Sequence, residues 1–419
     1  MKKSLKILLV NKFHYVVGGS ETYYFALKRL LEEQGHTVIE FSMKHDKNLP
    51  SPYDSYFVEN VDYHSHMSLP QKIKASANII YSREARDKFR KLVIDTQPDI
   101  VHLHLFQHQI SPSILDVCKE FNLPVVYTAH ELKMICPNYK MMHHGVICED
   151  CKGGRFYKCL ANRCVMDSFS KSLVSTAEAY VHKWKKSYDV IDHIITPSEF
   201  YRQKFIEFGI APERVTAIPN FLDRETPKVN ETAQKDYYLY MGRLSEEKGI
   251  LTMLRAFQDL PDQQLQIVGR GPLEDTIKQI IADNHMTNVT LLGFKSGQEL
   301  TDILGNTKAL ILPSEWYENG PYSAIEALQL GIPIIGADIG GIPELIDNNG
   351  VLFKSGDSED LKRAIIELGH ATENEYNEMK SRSKNVFKER HTAINHYIQL
   401  EMAYEESLDK HKKAIFKSS

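Results

Sequence analysis

The sequence predicts an α/β protein of two doubly wound domains, each a parallel sheet layered with helices. Three observations carry that reading. Short apolar runs recur along the chain, each closing in a Gly- or Pro-bearing loop that opens a helical period, as in strand–loop–helix units of a parallel sheet. The 419 residues exceed what one hydrophobic core usually organises. A polar stretch at 223–236 without periodicity reads as linker. The expected divisions are 1–212, 213–395 and a last helical segment at 396–419.

In the first half, residues 5–10 form a buried-strand pattern, followed by Gly18-Gly19-Ser20-Glu21 and an amphipathic helix carrying Tyr24, Ala26, Leu27, Leu30 and Leu31. Gly35 ends that helix and 37–41 is the second strand, completing a βαβ unit. Gly18 and Gly19 would let a ligand approach backbone at a helix start, although an ordinary tight turn reads the same way. Residues 42–92 read as irregular, then as helix with a solvated basic face. Strands follow at 99–103 and 124–128, the latter running into Ala129-His130-Glu131. A histidine at a strand's carboxyl end, such as His130, faces the ligand crevice of such a sheet. His102 and His104 stand at the earlier strand end as lining or structural residues. A strand at 190–196 and a helix at 199–208 complete this half.

Between them lies a cysteine-rich insertion, 136–164. Five of the six cysteines fall there: Cys136, Cys148, Cys151, Cys159 and Cys164. The spacing of Cys148, Cys151, Cys159 and Cys164 can place four thiolates around one ion, and zinc suits such a closed site. An iron–sulfur cluster, redox-active thiols and disulfides are the alternatives. Next comes a strongly helical stretch, 168–188, with Phe169, Leu173, Ala177, Tyr180, Val181 and Trp184 on one face and Lys171, Lys183, Lys185 and Lys186 elsewhere. That apolar face is expected to pack on its own domain; contact with anionic lipid is the alternative.

The second half opens with a strand at 214–218 and, beyond the linker, one at 237–241. The latter leads into Gly242-Arg243-Leu244-Ser245-Glu246-Glu247-Lys248-Gly249. Arg243 offers a fork of donors and Lys248 a point charge, and beside a helix start the two suit a pyrophosphate. Strand 264–268 runs into Gly269-Arg270-Gly271-Pro272, and 288–292 into Gly293-Phe294. From Lys308 the chain reads strand–loop–helix–strand–loop–helix, through Pro313, Asn319, Gly320, Pro321, Tyr322, Ser323 and Gly340-Gly341. Helix N-termini and backbone N–H groups gather at the carboxyl ends of parallel strands, where nucleotide phosphates bind. Glu318 in the loop and Glu326 on the helix frame it. A carboxylate beside an anion site is useful when the ligand also carries hydroxyls, so the residues read as a sugar-nucleotide site.

Glu318–Glu326 in this setting resembles the E-x7-E signature of retaining glycosyltransferases of the two-Rossmann GT-B architecture, specifically family 4, and the resemblance spans roughly residues 5–400. GRLSEEKG is similar to the family's G-R-x-x-x-x-K-G motif. The resemblance implies two Rossmann-like domains facing a cleft, with the last helix crossing back to the first domain. It further implies Arg243 and Lys248 on the donor phosphates, assisted by backbone around Gly18 and Gly19. Gly269 and Gly271 would lie beside the nucleotide, the base against backbone at Phe294, Glu326 on the ribose, and Glu318 and His130 on the sugar with backbone of Asn319, Gly320, Pro321, Tyr322 and Ser323. No catalytic metal is implied, and the cysteine insertion resembles an elaboration found in a bacterial subset. The implied substrates are a UDP- or GDP-sugar and a glycan or polyprenyl-linked acceptor of surface polysaccharide synthesis. A nucleotide-sugar hydrolase or epimerase, or a catalytically silent scaffold subunit, are the alternatives.

The formal charge of −4 argues against nucleic acid as the main partner. No apolar run approaches the roughly 20 residues that cross a bilayer. The opening MKKSLKILLV reads as a first strand rather than a signal peptide. A cytoplasmic location is expected, with peripheral membrane contact as the variant open to the basic helix.

Overall fold

The computed structural model describes residues 4–60, 68–230 and 236–418; part of the expected linker, 231–235, lies outside them. The chain divides into two compact units, Met1–Ile218 with Tyr397–Ser419, and Pro219–His396.

The first unit is organised on strands β1 (Lys6–Val10), β2 (Thr37–Phe41), β3 (Ile100–Leu103), β4 (Val125–Thr128), β7 (His193–Thr196) and β8 (Val215–Ala217), with a small hairpin of β5 (Met142–His143) and β6 (Val146–Ile147). The main sheet runs β2-β1-β3-β4-β7-β8, and every pairing in it is parallel. Ile7, Leu8, Leu9 and Val10 are all fully buried. They form a continuous apolar run because a parallel strand covered by helices faces core on both sides. The strand order reverses between β1 and β3, so the ligand crevice of this sheet lies at their carboxyl ends.

The last helix, Ala393–Ser418, enters the first unit through tyrosine–histidine contacts. Tyr397 Oη lies 2.9 Å from His36 Nε2, and Tyr404 Oη lies 2.7 Å from His102 Nδ1. The helix continues through residues 411–418. His411 is tied to Asp192, 3.0 Å away, and to the Asn122 carbonyl, which holds the last turns in register.

The insertion after β4 packs on helix Phe169–Trp184. That helix corrects a sequence expectation. Its buried residues are Ser172, Ser175, Thr176, Glu178 and His182, while Phe169, Leu173 and Trp184 are exposed. The polar face turns inward because the buried Lys133 ammonium waits there, 2.8 Å from Glu178, and donates to the Pro137 carbonyl. His182 bridges Ser187 and the Ile80 carbonyl. An ammonium this deep requires a counter-charge, which outweighs the apolar periodicity of the helix.

The second unit carries β9 (Tyr237–Met241), β10 (Gln264–Val268), β11 (Val289–Gly293), β12 (Ala309–Leu312), β13 (Ile334–Ala337) and β14 (Gly350–Phe353). Its order is β11-β10-β9-β12-β13-β14, again with parallel pairings throughout. This is the Rossmann order, with the switch point between β9 and β12. Two details differ from the sequence reading. The helix expected after Gly340-Gly341 is only the 3-10 turn Pro343–Leu345. Strand β14, absent from that reading, is short and alternates between partly and fully buried residues, as edge strands do.

Glu178→Ala should lower stability by about 3 kcal/mol, because it leaves the Lys133 charge buried without its partner. Urea unfolding of the variant beside the wild type measures the difference; an unchanged midpoint would show that Lys133 does not depend on Glu178.

Candidate functional site

In the second unit the loops leaving β9 and β12, the strands that flank the switch point, are joined by one carboxylate. Glu318 Oε1 accepts from Lys248 Nζ at 2.6 Å, Ser314 Oγ at 2.7 Å and Trp316 Nε1 at 2.9 Å. The Lys248 ammonium also stands 5.1 Å from the Trp316 ring centroid. Burial works to raise the pKa of Glu318, but the Lys248 charge and the three hydrogen bonds outweigh it and hold the carboxyl below its usual range. The group is therefore an anion at neutral pH.

Two glycines make this junction possible. Gly249 has φ +68°, and a Cβ there would fall 1.7 Å from the Pro313 carbonyl oxygen. The β9 loop thus touches the β12 loop backbone directly, with Lys248 beside it. Gly340 has φ +61°, and its Cβ would meet the Glu318 nitrogen at 2.5 Å. Gly341 N–H then donates to the Glu318 carbonyl at 2.8 Å. Only a residue without a side chain fits either place.

Beyond Glu318 the chain passes Asn319, Gly320 and Pro321 into helix Tyr322–Leu330, whose N-terminus has no side-chain cap. Asn220 Nδ2 fixes this turn by donating to the Gly320 carbonyl at 2.9 Å. Ser323 lies in the first turn and Glu326 in the second. Arg224 Nη2 meets Glu326 Oε1 at 2.5 Å. Burial is the main influence on Glu326 and leaves its pKa raised despite Arg224. Arg243, at the end of β9, is exposed and forms no ion pair among the described residues. Leu244 N–H donates to the Arg270 carbonyl at 2.9 Å, which brings the loop holding Gly269 and Gly271 against the β9 loop. Phe294 is 61% exposed, with the Arg270 guanidinium 5.8 Å from its ring.

The structure thus brings Glu318, Lys248 and the 319–323 turn together, with Glu326 one turn on. The sequence reading missed Ser314, Trp316, Asn220 and Arg224. Arg224 and Asn220 are about a hundred residues from their partners, and nothing in their local pattern marks them. The Gly340-Gly341 pair was the visible signal for a close backbone approach.

The first unit assembles its own group at the carboxyl ends of β3 and β4. His130 Nε2 lies 3.1 Å from His104 Nδ1 and its ring is 4.9 Å from that of Tyr23. Burial pushes the His130 pKa down to about 3, so its imidazole is neutral. His102 is fully buried and bonded to Thr128 as well as Tyr404, a structural role. Gly18 caps helix Gly19–Glu33, with its N–H bonded to Glu21 Oε2 at 3.0 Å. Space beside Gly18 is open.

The cysteines do not form the expected zinc shell. Among the described residues no group of three or more His, Cys, Asp or Glu side chains is arranged to hold a metal ion, although Cys148, Cys151, Cys159 and Cys164 lie near enough to act on one another electrostatically. Cys164 instead donates to the Cys159 sulfur, which lowers the Cys159 pKa and raises that of Cys164. Burial pushes the neighbouring Cys136 up to about 11. Cys151 and Cys159 pack with Phe156 in a small buried cluster, with Cys164 against it.

The two parallel-sheet α/β units match the two-Rossmann-like GT-B fold of solved glycosyltransferases. The family model for Glycosyltransferase Family 4 matches residues 17–226, half of the chain, and that for glycosyl transferases group 1 matches 223–386. The chain belongs to Glycosyltransferase Family 4, and its enzyme class is that of a glycosyltransferase. It is similar to an uncharacterized 42.6 kDa protein in the cps region of Klebsiella pneumoniae, 24% identical over 81% of this chain and 87% of the relative. It is 29% identical to the amylovoran biosynthesis glycosyltransferase AmsK of Erwinia amylovora, over 41% of this chain and less than half, 46%, of AmsK. Among solved structures it resembles Anabaena HepE in complex with UDP and glucose, with TM-score 0.60, 17% identity, and 96% and 99% of the two chains covered. No helix among the described residues is long and apolar enough to cross a membrane.

Because Glu318 has a lowered pKa in the folded chain, it contributes stability above its unfolded value of 4.5, and that contribution is lost as pH falls through the folded value. Glu318→Gln should accordingly flatten the acid side of the stability profile. Thermal midpoints of both proteins between neutral and acid pH test this, and parallel profiles would refute it.

Proposed function

We propose that the chain transfers a glycosyl group from a nucleotide-sugar to a hydroxyl of a glycan or lipid-linked saccharide, with retention at the anomeric carbon and without a catalytic metal. The observation that carries this reading is the Glu318–Lys248 junction beside the uncapped helix N-terminus, with Arg243 exposed at the end of β9. Cations and a helix N-terminus suit a diphosphate, and carboxylates suit sugar hydroxyls.

In this reading Arg243 and Lys248 stabilise the departing diphosphate as the anomeric C–O bond to phosphate breaks. The acceptor oxygen bonds to the anomeric carbon from the same face, and its proton passes to the leaving phosphate oxygen. The three hydrogen bonds to the Glu318 carboxylate fall on Oε1, which leaves Oε2 to accept from a sugar hydroxyl. Glu326, steadied by Arg224, accepts from the ribose. The exposed Phe294 offers a surface at the base, with Gly269 and Gly271 in the adjoining loop. In the first unit, neutral His130 is suited to hydrogen-bond a hydroxyl rather than to act as a cation. HepE holds UDP and glucose, which favours a UDP-sugar as the first donor to test; the likeness to AmsK favours an acceptor in polysaccharide synthesis. A cytoplasmic site of action fits such substrates.

Arg243→Ala and Lys248→Ala should each cut turnover of a nucleotide-sugar donor by roughly 10²-fold while the fold persists. Product analysis over a donor panel measures this and separates transfer from hydrolysis or epimerisation; near-normal turnover in both variants would sink the assignment. Turnover should also survive EDTA. Loss that magnesium or manganese restores in folded protein would contradict the metal-independent mechanism.

A further inference from the structure

Helix Phe169–Trp184 presents an apolar line to solvent. Phe169 is 57% exposed, Leu173 46% and Trp184 75%, and Tyr180 stacks on Trp184 with ring centroids 5.5 Å apart. At the α-helical 100° per residue these four positions fall within about 60° of the helix circumference, along about 22 Å of its axis. The cysteine insertion extends the line. Tyr157, 52% exposed, has its N–H bonded to the Tyr180 hydroxyl. Met166, 67% exposed, contacts the Lys171 ammonium at 3.2 Å. Single exposed apolar residues are ordinary, but a contiguous row of aromatic and aliphatic side chains marks an interaction surface.

The charge around this row is equally uneven. Residues 152–186 hold eight Lys and Arg against two acids, Asp167 and Glu178, a net +6 in a chain whose formal total is −4, leaving −10 for the rest. Glu178 is buried against Lys133 and does not offset the surface. Lys171, Lys183, Lys185 and Lys186 are all exposed. The helix cannot roll to hide its apolar side, because Glu178, His182, Ser172 and Thr176 anchor the opposite face.

We propose that this face docks on an anionic phospholipid bilayer. The helix lies in the interface plane, with Phe169, Leu173, Tyr180 and Trp184 at the acyl boundary and the lysines at the phosphates. Tyrosine and tryptophan favour that depth, and lysine stems extend along apolar surface while their ammonium groups stay in the polar layer. Charge selects this occupant over a second copy of the chain: even with Lys152 paired to Glu207 and Lys185 to Asp116, Lys171, Lys183 and Lys186 remain exposed cations, and pairing two such faces would oppose like charges. The proposal uses none of the donor-site residues and stands whether or not the donor reading does.

The test is flotation of the full chain with vesicles of phosphatidylcholine, alone or mixed with phosphatidylglycerol. Binding to the mixed vesicles should be roughly ten-fold tighter and weaken with salt. Phe169→Ser with Leu173→Ser and Trp184→Ser, and separately Lys171→Glu with Lys186→Glu, should each lower it about ten-fold, with unchanged circular dichroism. Should either variant misfold, quenching of tryptophan emission by brominated lipid decides: wild type is quenched and Trp184→Phe is not, Trp316 being the other tryptophan. Failure to float with anionic vesicles, equal flotation of the variants, or a wild-type dimer that the serine variant dissolves without any vesicle binding would each overturn the proposal.

Discussion

In the second unit a partly buried ion pair joins two loops. Lys248 leaves β9 and Glu318 leaves β12, the strands on either side of the switch point. Taking a carboxylate out of water is unfavourable unless several donors replace the solvent, and Lys248, Ser314 and Trp316 do so here. The backbone contacts at Gly249 and Gly340 allow the loops to come close enough. An ionised, hydrogen-bonded carboxylate is thereby held at the mouth of the sheet with one oxygen committed and a helix N-terminus beside it.

The two sheets solve the same topological problem with different electrostatics. In the second unit the crevice residues are charged: Lys248, Glu318, Arg243, Glu326. In the first the corresponding strand ends carry histidines whose burial keeps them neutral, His104 and His130. Charge suits a diphosphate leaving group, whereas neutral imidazoles suit hydroxyls, which require directional hydrogen bonds without a net field. The last helix adds Tyr404 to the histidine group through His102, so residues from the end of the chain help to fix the strand ends of the first sheet.

The insertion shows how one buried charge can reorganise its surroundings. Lys133 follows β4 and is 6% exposed. Its demand for an anion draws Glu178 inward, and the whole face of helix Phe169–Trp184 follows. The cysteines settle as an apolar cluster with Phe156 against this helix, and the aromatic row is left outside.

The sequence by itself determined the parallel α/β architecture, because strands buried on both faces must be apolar at every position, as in residues 7–10 and 309–312. It also marked Glu318, Lys248, Arg243, Glu326 and the glycine loops, since those chemistries stand at strand ends in local order. Tertiary structure decided what lies opposite them. Arg224 finds Glu326 across 102 positions of chain and Asn220 finds Gly320 across 100, distances over which no periodicity operates. It decided likewise which face of helix Phe169–Trp184 turns inward. Periodicity reports which side of an element is apolar. The free energy of satisfying a buried charge depends on a partner elsewhere in the fold, and for this helix that partner, Lys133, reversed the orientation the pattern implied.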